Sequence, residues 1–224
     1  MSLHRLRPCR AFGLALALAA LTLSGTGTAA ALTPHNGTNG TSDTTRFRLF
    51  PNATFLPCLS ANGSTPRVEA EVHRGELNDT MDIQLHGFKP DLDFDLFTVQ
   101  RSNQLANGNP DPAFTGSFGL AWYQSDLHTD HHGDGRARIR TILLDQIFGF
   151  DPDAALPPTN TFHVGFWFNS PSDAAACGFT GSTPFNGEHN AGPLAFITRP
   201  DAVTNLGPLC TKPNTSTTPA TCNP

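Results

Sequence analysis

Residues 118–144 read FGLAWYQSDLHTDHHGDGRARIRTILL. One set of positions alternates on the first arm, at Phe118, Leu120 and Trp122, and another on the second, at Ala137, Ile139, Thr141 and Leu143. Between them lies Asp130-His131-His132-Gly133-Asp134-Gly135. Period-two patterning on both sides of a Gly/Asp-rich turn predicts a β-hairpin.

The flanking sequence repeats this pattern. Val68, Ala70 and Val72 alternate with Glu69, Glu71 and His73; Met81, Ile83 and Leu85 alternate with Asp82, Gln84 and His86. That predicts an antiparallel pair with one wet face, on which His73 and His86 can meet. Phe94, Leu96 and Thr98 mark a further strand, and Phe97 and Val99 on its other face predict cover on both sides. In TFHVGFWFN (161–169), Phe162, Val164, Phe166 and Phe168 share one face, while His163, Gly165 and Trp167 share the other. A first strand is expected from Phe47 through Phe55 to near Cys58, and a last at Leu194–Thr198. Residues 102–116 and 170–191 are long loops, the second with a helical turn at 172–176. The expected fold is all-β: an antiparallel β-sandwich, immunoglobulin-like, with about seven to eight strands and two long loops. A closed barrel is the alternative.

The N-terminus carries His4, Arg5, Arg7 and Arg10, then an apolar run from Ala11 to Leu23, then Thr28-Ala29-Ala30-Ala31. These are the basic, apolar and cleavage regions of a secretory signal peptide, and the apolar run is too short to span a bilayer. The expected organisation is a signal peptide at 1–31, a polar disordered leader at 32–45, one β-domain at 46–199 and a Pro/Thr-rich tail at 200–224. Export leaves Cys58, Cys177, Cys210 and Cys222, an even set that favours two disulfides in an oxidising compartment. Proximity favours Cys210–Cys222, leaving Cys58–Cys177. The net charge of −5 is mild and supplies no basic stripe for nucleic acid.

Three groups of residues carry possible chemistry. Asp126, His128, Asp130 and His132, with His131 and Asp134, are dense enough to bind a transition metal or, through Asp130-x-His132-x-Asp134-Gly135, to echo a calcium loop. The competing reading is a solvated turn, because Asp and Gly are what tight turns require. Arg136, Arg138 and Arg140 form a row that can hold an anion, or pair across strands with Asp126 and Asp130. Trp167 and Asn169, with Asn186, Glu188 and His189 from the second long loop, combine an aromatic surface with polar groups, as binding pockets do. No GxSxG, HExxH or P-loop motif is present.

Leu85-x-Gly87-x-x-Pro90 followed by Phe94, and later Cys177 with Pro184-Phe185-Asn186 and His189, resemble segments of copper/zinc superoxide dismutase. That family places a His-x-His copper pair after such a turn. Here the matching stretch is Phe94-Asp95-Leu96-Phe97, without histidine. The resemblance therefore implies a β-sandwich and not a copper site. The Gly-x-x-Pro turn is also similar to turns of secreted immunoglobulin-like domains of unknown function.

The reading that follows is a secreted, soluble, non-catalytic binding or envelope-associated module. Its expected partner is an extracellular or cell-envelope ligand, with no cofactor, no nucleic acid and no membrane span in the mature chain. The alternative is a metal-binding protein or metal-dependent enzyme built on the 126–134 turn. With four cysteines remaining after export, thiol titration of the mature protein, unfolded without reductant, is expected to find no free thiol; two or more would overturn the two-disulfide reading.

Overall fold

A computed structural model describes residues 44–61, 63–75, 78–141, 161–183 and 188–210. The expected signal peptide, most of the leader, Leu143, Asn186, Cys222 and the end of the tail lie outside the described residues.

The chain is all-β. Its strands are β1 (Thr44–Pro51), β2 (Arg67–His73), β3 (Asp79–His86), β4 (Asp93–Val99), β5 (Ala121–His128), β6 (Gly135–Thr141), β7 (Thr161–Phe168), β8 (Leu194–Ile197) and β9 (Leu209–Cys210). Eight of them form one antiparallel sheet in the order β5-β4-β7-β8-β1-β2-β3-β6, and β9 adds to β7. β1 joins the two halves: Thr44–Leu49 pair with β2, then Phe50 and Pro51 pair with β8. The end strands β5 and β6 are consecutive in the chain and linked by a tight turn, so the sheet is nearly closed and barrel-like. Among the described residues no helix is long and apolar enough to cross a membrane.

This arrangement corrects the expected hairpin. Among the described residues β5 and β6 share no ladder; β5 pairs with β4, and β6 pairs with β3. The turn between them is held by tertiary contacts. The Phe88 N–H donates to the Gly133 carbonyl at 3.0 Å, and the buried Thr129 hydroxyl donates to the Lys89 carbonyl while accepting from the Leu92 N–H. Gly133 has φ +81°, and a Cβ there would collide with the Phe88 carbonyl oxygen, so glycine is required both for its conformation and for its close approach. Anchored on the β3–β4 turn, the two arms diverge to opposite ends of the sheet.

Other expectations shift with it. Trp122 enters the main core, while Phe118 packs with the outer cluster and Leu120 is exposed; all three were expected on one face. β5 begins only at Ala121, after the loop has reversed direction. Arg136 and Arg138 both pair with Asp82 on β3, at 3.0 and 3.2 Å, and not with Asp126 or Asp130, because β6 lies beside β3. His73 and His86 sit at opposite ends of the β2–β3 ladder, opposite Thr80 and Arg67. β1 begins at Thr44, inside the expected leader, and ends at Pro51. A 3₁₀ turn (Ala53–Phe55) and α1 (Leu56–Leu59) follow it, with Pro57 in the first turn of α1. The start of the expected tail supplies β9, whose Leu209 is fully buried.

The core follows from the alternation. Val68, Ala70, Val72, Met81, Ile83 and Leu85 meet Phe94, Leu96, Val164, Phe166, Phe168 and Phe196 across one interior. Phe88, from the β3–β4 turn, packs on Phe94, Phe166 and Phe196. Full burial of each such side chain contributes roughly 1.5–3 kcal/mol. Cys58 on α1 is bonded to Cys177 at the end of the 3₁₀ helix Pro171–Cys177, as expected; the separation of 119 residues makes this a long loop closure. In the chain-entropy picture such closure contributes about 4–5 kcal/mol. Arg74 and Asp79 form a buried ion pair at 2.9 Å across the β2–β3 turn, where the Gly75 N–H also donates to Asp79.

Phe166 stacks on Phe196 at 5.3 Å and is fully buried. Phe166→Ala is expected to cost ~3–5 kcal/mol by denaturant unfolding; a loss well under ~1 kcal/mol with the fold intact would contradict this packing.

Candidate functional site

The outer face of the β5-β4-β7-β8 half carries a second apolar layer. Strand register arranges it in rows. Ala121, Val99 and His163 are neighbours across β5, β4 and β7. Tyr123, Phe97, Gly165 and Ile197 form the next row, running onto β8. Asp126, Asp95, Trp167 and Leu194 form the third. Phe97 meets Tyr123 and Trp167 edge-on, each at 5.5 Å, and Trp167 meets Phe118 at 5.1 Å. The two long loops cover this layer incompletely. They leave a cleft of about 400 Å³ floored by Phe97, Trp167, Ala121 and Leu194 and walled by Phe114, Phe118 and Phe179. Asn103 also lines it, and its Oδ1 is buried with no hydrogen-bond partner among the described residues.

The third row changes the chemistry at one end of the floor. Asp95 is 1 % exposed and stands directly opposite Asp126. Like charges at directly opposed positions are destabilising. His189 places Nε2 at 3.4 Å from Asp95, and the Tyr123 hydroxyl donates to Asp126 at 2.6 Å. Burial, the bond to Asp126, and the negative charges of Asp126, Asp95 and Glu188 together push the Tyr123 phenol well above its ordinary pKa. Glu188 is exposed and His189 half-buried, both on the loop that returns to β8. Thr183 and Asn190 hold that loop: Asn190 donates to the Thr183 carbonyl, and the Thr183 hydroxyl donates to the Ala191 carbonyl.

Of the expected binding residues, Trp167, Glu188 and His189 are thus brought to one region. Asn169 lies just past the end of β7, half-buried, with its N–H on the Asp93 carbonyl, and does not line the cleft. Sequence reasoning missed Asp95, Tyr123 and Asn103. Asp95 did carry a signal: it is a carboxylate set between Phe94 and Leu96 in a strand whose two faces were both expected to be covered.

The expected metal ligands separate. Asp126 joins Tyr123, and His128 pairs with Asp93 through Nδ1 at 2.7 Å. Asp130 accepts the His132 and Asp134 N–H groups, which hold its carboxyl below the usual range. Asp134 faces His86 at 3.2 Å, and His131 and His132 are exposed with their rings 3.8 Å apart. Among the described residues no three His, Cys, Asp or Glu side chains form a group able to hold a metal ion.

No protein-family model, curated protein or solved structure matches this chain, so nothing there bears on the resemblance to copper/zinc superoxide dismutase.

His163, in the first row, is buried and shares a 2.9 Å hydrogen bond with the Thr198 hydroxyl. Burial pushes its imidazole down to about 4 from 6.5. The unfolded chain therefore binds more protons than the folded one between those values, so this residue makes stability fall as pH drops from about 6.5 towards 4. The unfolding free energy from urea titrations should decline over that window by at most ~3 kcal/mol from this group. In His163→Leu that part of the decline should vanish; an unchanged profile would contradict a neutral, buried His163.

Proposed function

We propose that this chain is an exported, soluble, non-catalytic binding module whose site is the aromatic cleft on the outer face of β4, β5, β7 and β8. The observation that carries this reading is the cleft itself. Its volume of about 400 Å³ falls in the range of small-ligand pockets, about 300–1,000 Å³. Its floor is apolar and rigid because it is built on paired strands, and Asn103 adds a polar residue to the lining. A planar apolar group, either a small molecule or a side chain of an extracellular partner, fits such a site. Export is supported by the N-terminal charge and hydropathy pattern and by the Cys58–Cys177 disulfide. The immunoglobulin-like sandwich reading of the fold is supported by the two half-sheets sharing one core.

Indole is a suitable probe, titrated by calorimetry and followed by chemical-shift changes on the cleft residues. Saturable binding is expected, weakened at least tenfold in Trp167→Ala with the melting temperature largely kept, since Trp167 is only partly buried. Absence of saturable binding, or binding indifferent to both Trp167→Ala and Phe97→Leu, would overturn the assignment.

A further inference from the structure

We infer that the cleft takes an uncharged, aromatic small molecule, in preference to an ion or to the side chain of a protein partner. The inference rests on the cleft being the binding site and deepens that reading by naming the ligand class.

Two observations carry it. The first is the chemistry of the lining. Among the described residues, none that lines the cleft has a side chain ionised at neutral pH. Its polar members, Asn103, Ser117, Ser182 and Thr183, bring only amide and hydroxyl groups. Neighbouring charges lie outside the lining and have partners there. The Arg101 guanidinium lies over Phe114, donates to the Ala113 carbonyl at 2.8 Å and stands 3.7 Å from Asp111. Asp95 and Asp126, in the row of Trp167, are engaged by His189 and Tyr123. An ion entering such a lining loses hydration and meets no counter-charge, whereas an uncharged ring has no such cost. Phe97 and Phe118 each stand at 88° to Trp167, and an aromatic guest can extend this edge-to-face pattern.

The second observation is where the apolar surface stops. Among the described residues, the large hydrophobic side chains left exposed are Leu120, next to the wall, and Val203, between β8 and β9. A stable protein interface covers roughly 800 Å² on each partner and has an apolar, aromatic-rich centre. Two scattered side chains do not extend the cleft into such a patch. A concave site of about 400 Å³, by contrast, is large enough to cover most of a small ligand. The apolar surface is therefore shaped for a guest that it encloses.

Indole-3-methanol, indole-3-methylamine and indole-3-carboxylate are close in size and are neutral, cationic and anionic at neutral pH. Each holds its substituent one bond from the ring, so the charge enters with the ring. They are titrated into the mature protein by calorimetry, alongside the end-capped tripeptide Gly-Trp-Gly. The neutral probe is expected to bind about tenfold more tightly than either ion, and the tripeptide no more tightly than the neutral probe. Ser182 lines the cleft at an exposed position, so Ser182→Asp places a carboxylate there without disturbing the core. In that variant the cationic probe should come within about twofold of the neutral one. An ion bound by the unaltered protein as tightly as the neutral probe, or an unchanged gap in Ser182→Asp, would overturn the selection against charge. A tripeptide bound about tenfold more tightly than the neutral probe would replace the small molecule by a protein partner. Each of these results leaves the cleft reading intact. Failure of all four probes to bind would overturn the cleft reading and this inference with it.

Discussion

β4 is buried on both of its faces, and the architecture depends on that constraint. Phe94 and Leu96 point into the barrel interior, while Asp95, Phe97 and Val99 point outward and are still covered. A strand in this position needs neighbours on both edges and layers on both sides. β5 and β7 supply the edges. The interior supplies one layer, and the long loops after β4 and β7 supply the other. Those loops cannot pack as tightly as a second sheet, because their backbone polar groups need turns and partners of their own. The cleft is the space they leave.

The same economy explains why the β5–β6 turn is rich in glycine and aspartate. Its backbone must press against the β3–β4 turn, with Gly133 on Phe88 and Thr129 bridging Lys89 and Leu92. The Asp130 carboxylate closes the turn internally by accepting two N–H groups. Asp130 and Gly133 therefore serve a chain reversal at the end of a nearly closed sheet. Both end strands carry charge outward, Arg136 and Arg138 on β6, Asp126 and His128 on β5, and β5 contains a register shift opposite Leu96 and Phe97. Charge and irregularity are the usual means by which sheet edges avoid pairing with other chains.

Electrostatically the two halves differ. On β1, β2, β3 and β6, arginines face acids across neighbouring strands, as in Arg46 with Glu71 and Arg138 with Asp82. The third row of the other half places acid against acid beside an indole ring. That contrast, within a single sheet, is what separates a solvated face from a candidate binding face.

Much of this was legible in the residues themselves. Alternation in Val68–Val72, Met81–Leu85 and Phe162–Phe168 specified strands and their buried faces, because side chains in extended backbone project alternately and only one register hides the apolar set. The double cover of β4 was visible for the same reason. Trp167, Glu188 and His189 were singled out by residue type and nearness in the chain. What the sequence could not decide was which strands pair. The 118–144 stretch satisfies every local rule of a hairpin, yet its arms part, since the turn between them is pinned to the β3–β4 turn and each arm ladders with a different neighbour, β4 or β3. From that one tertiary choice came the loss of the Asp126–His132 grouping, the pairing of the arginines with Asp82, and the meeting of Asp95 with Asp126, Tyr123 and His189. Local pattern encodes the orientation of each side chain; only long-range packing decides which of them meet.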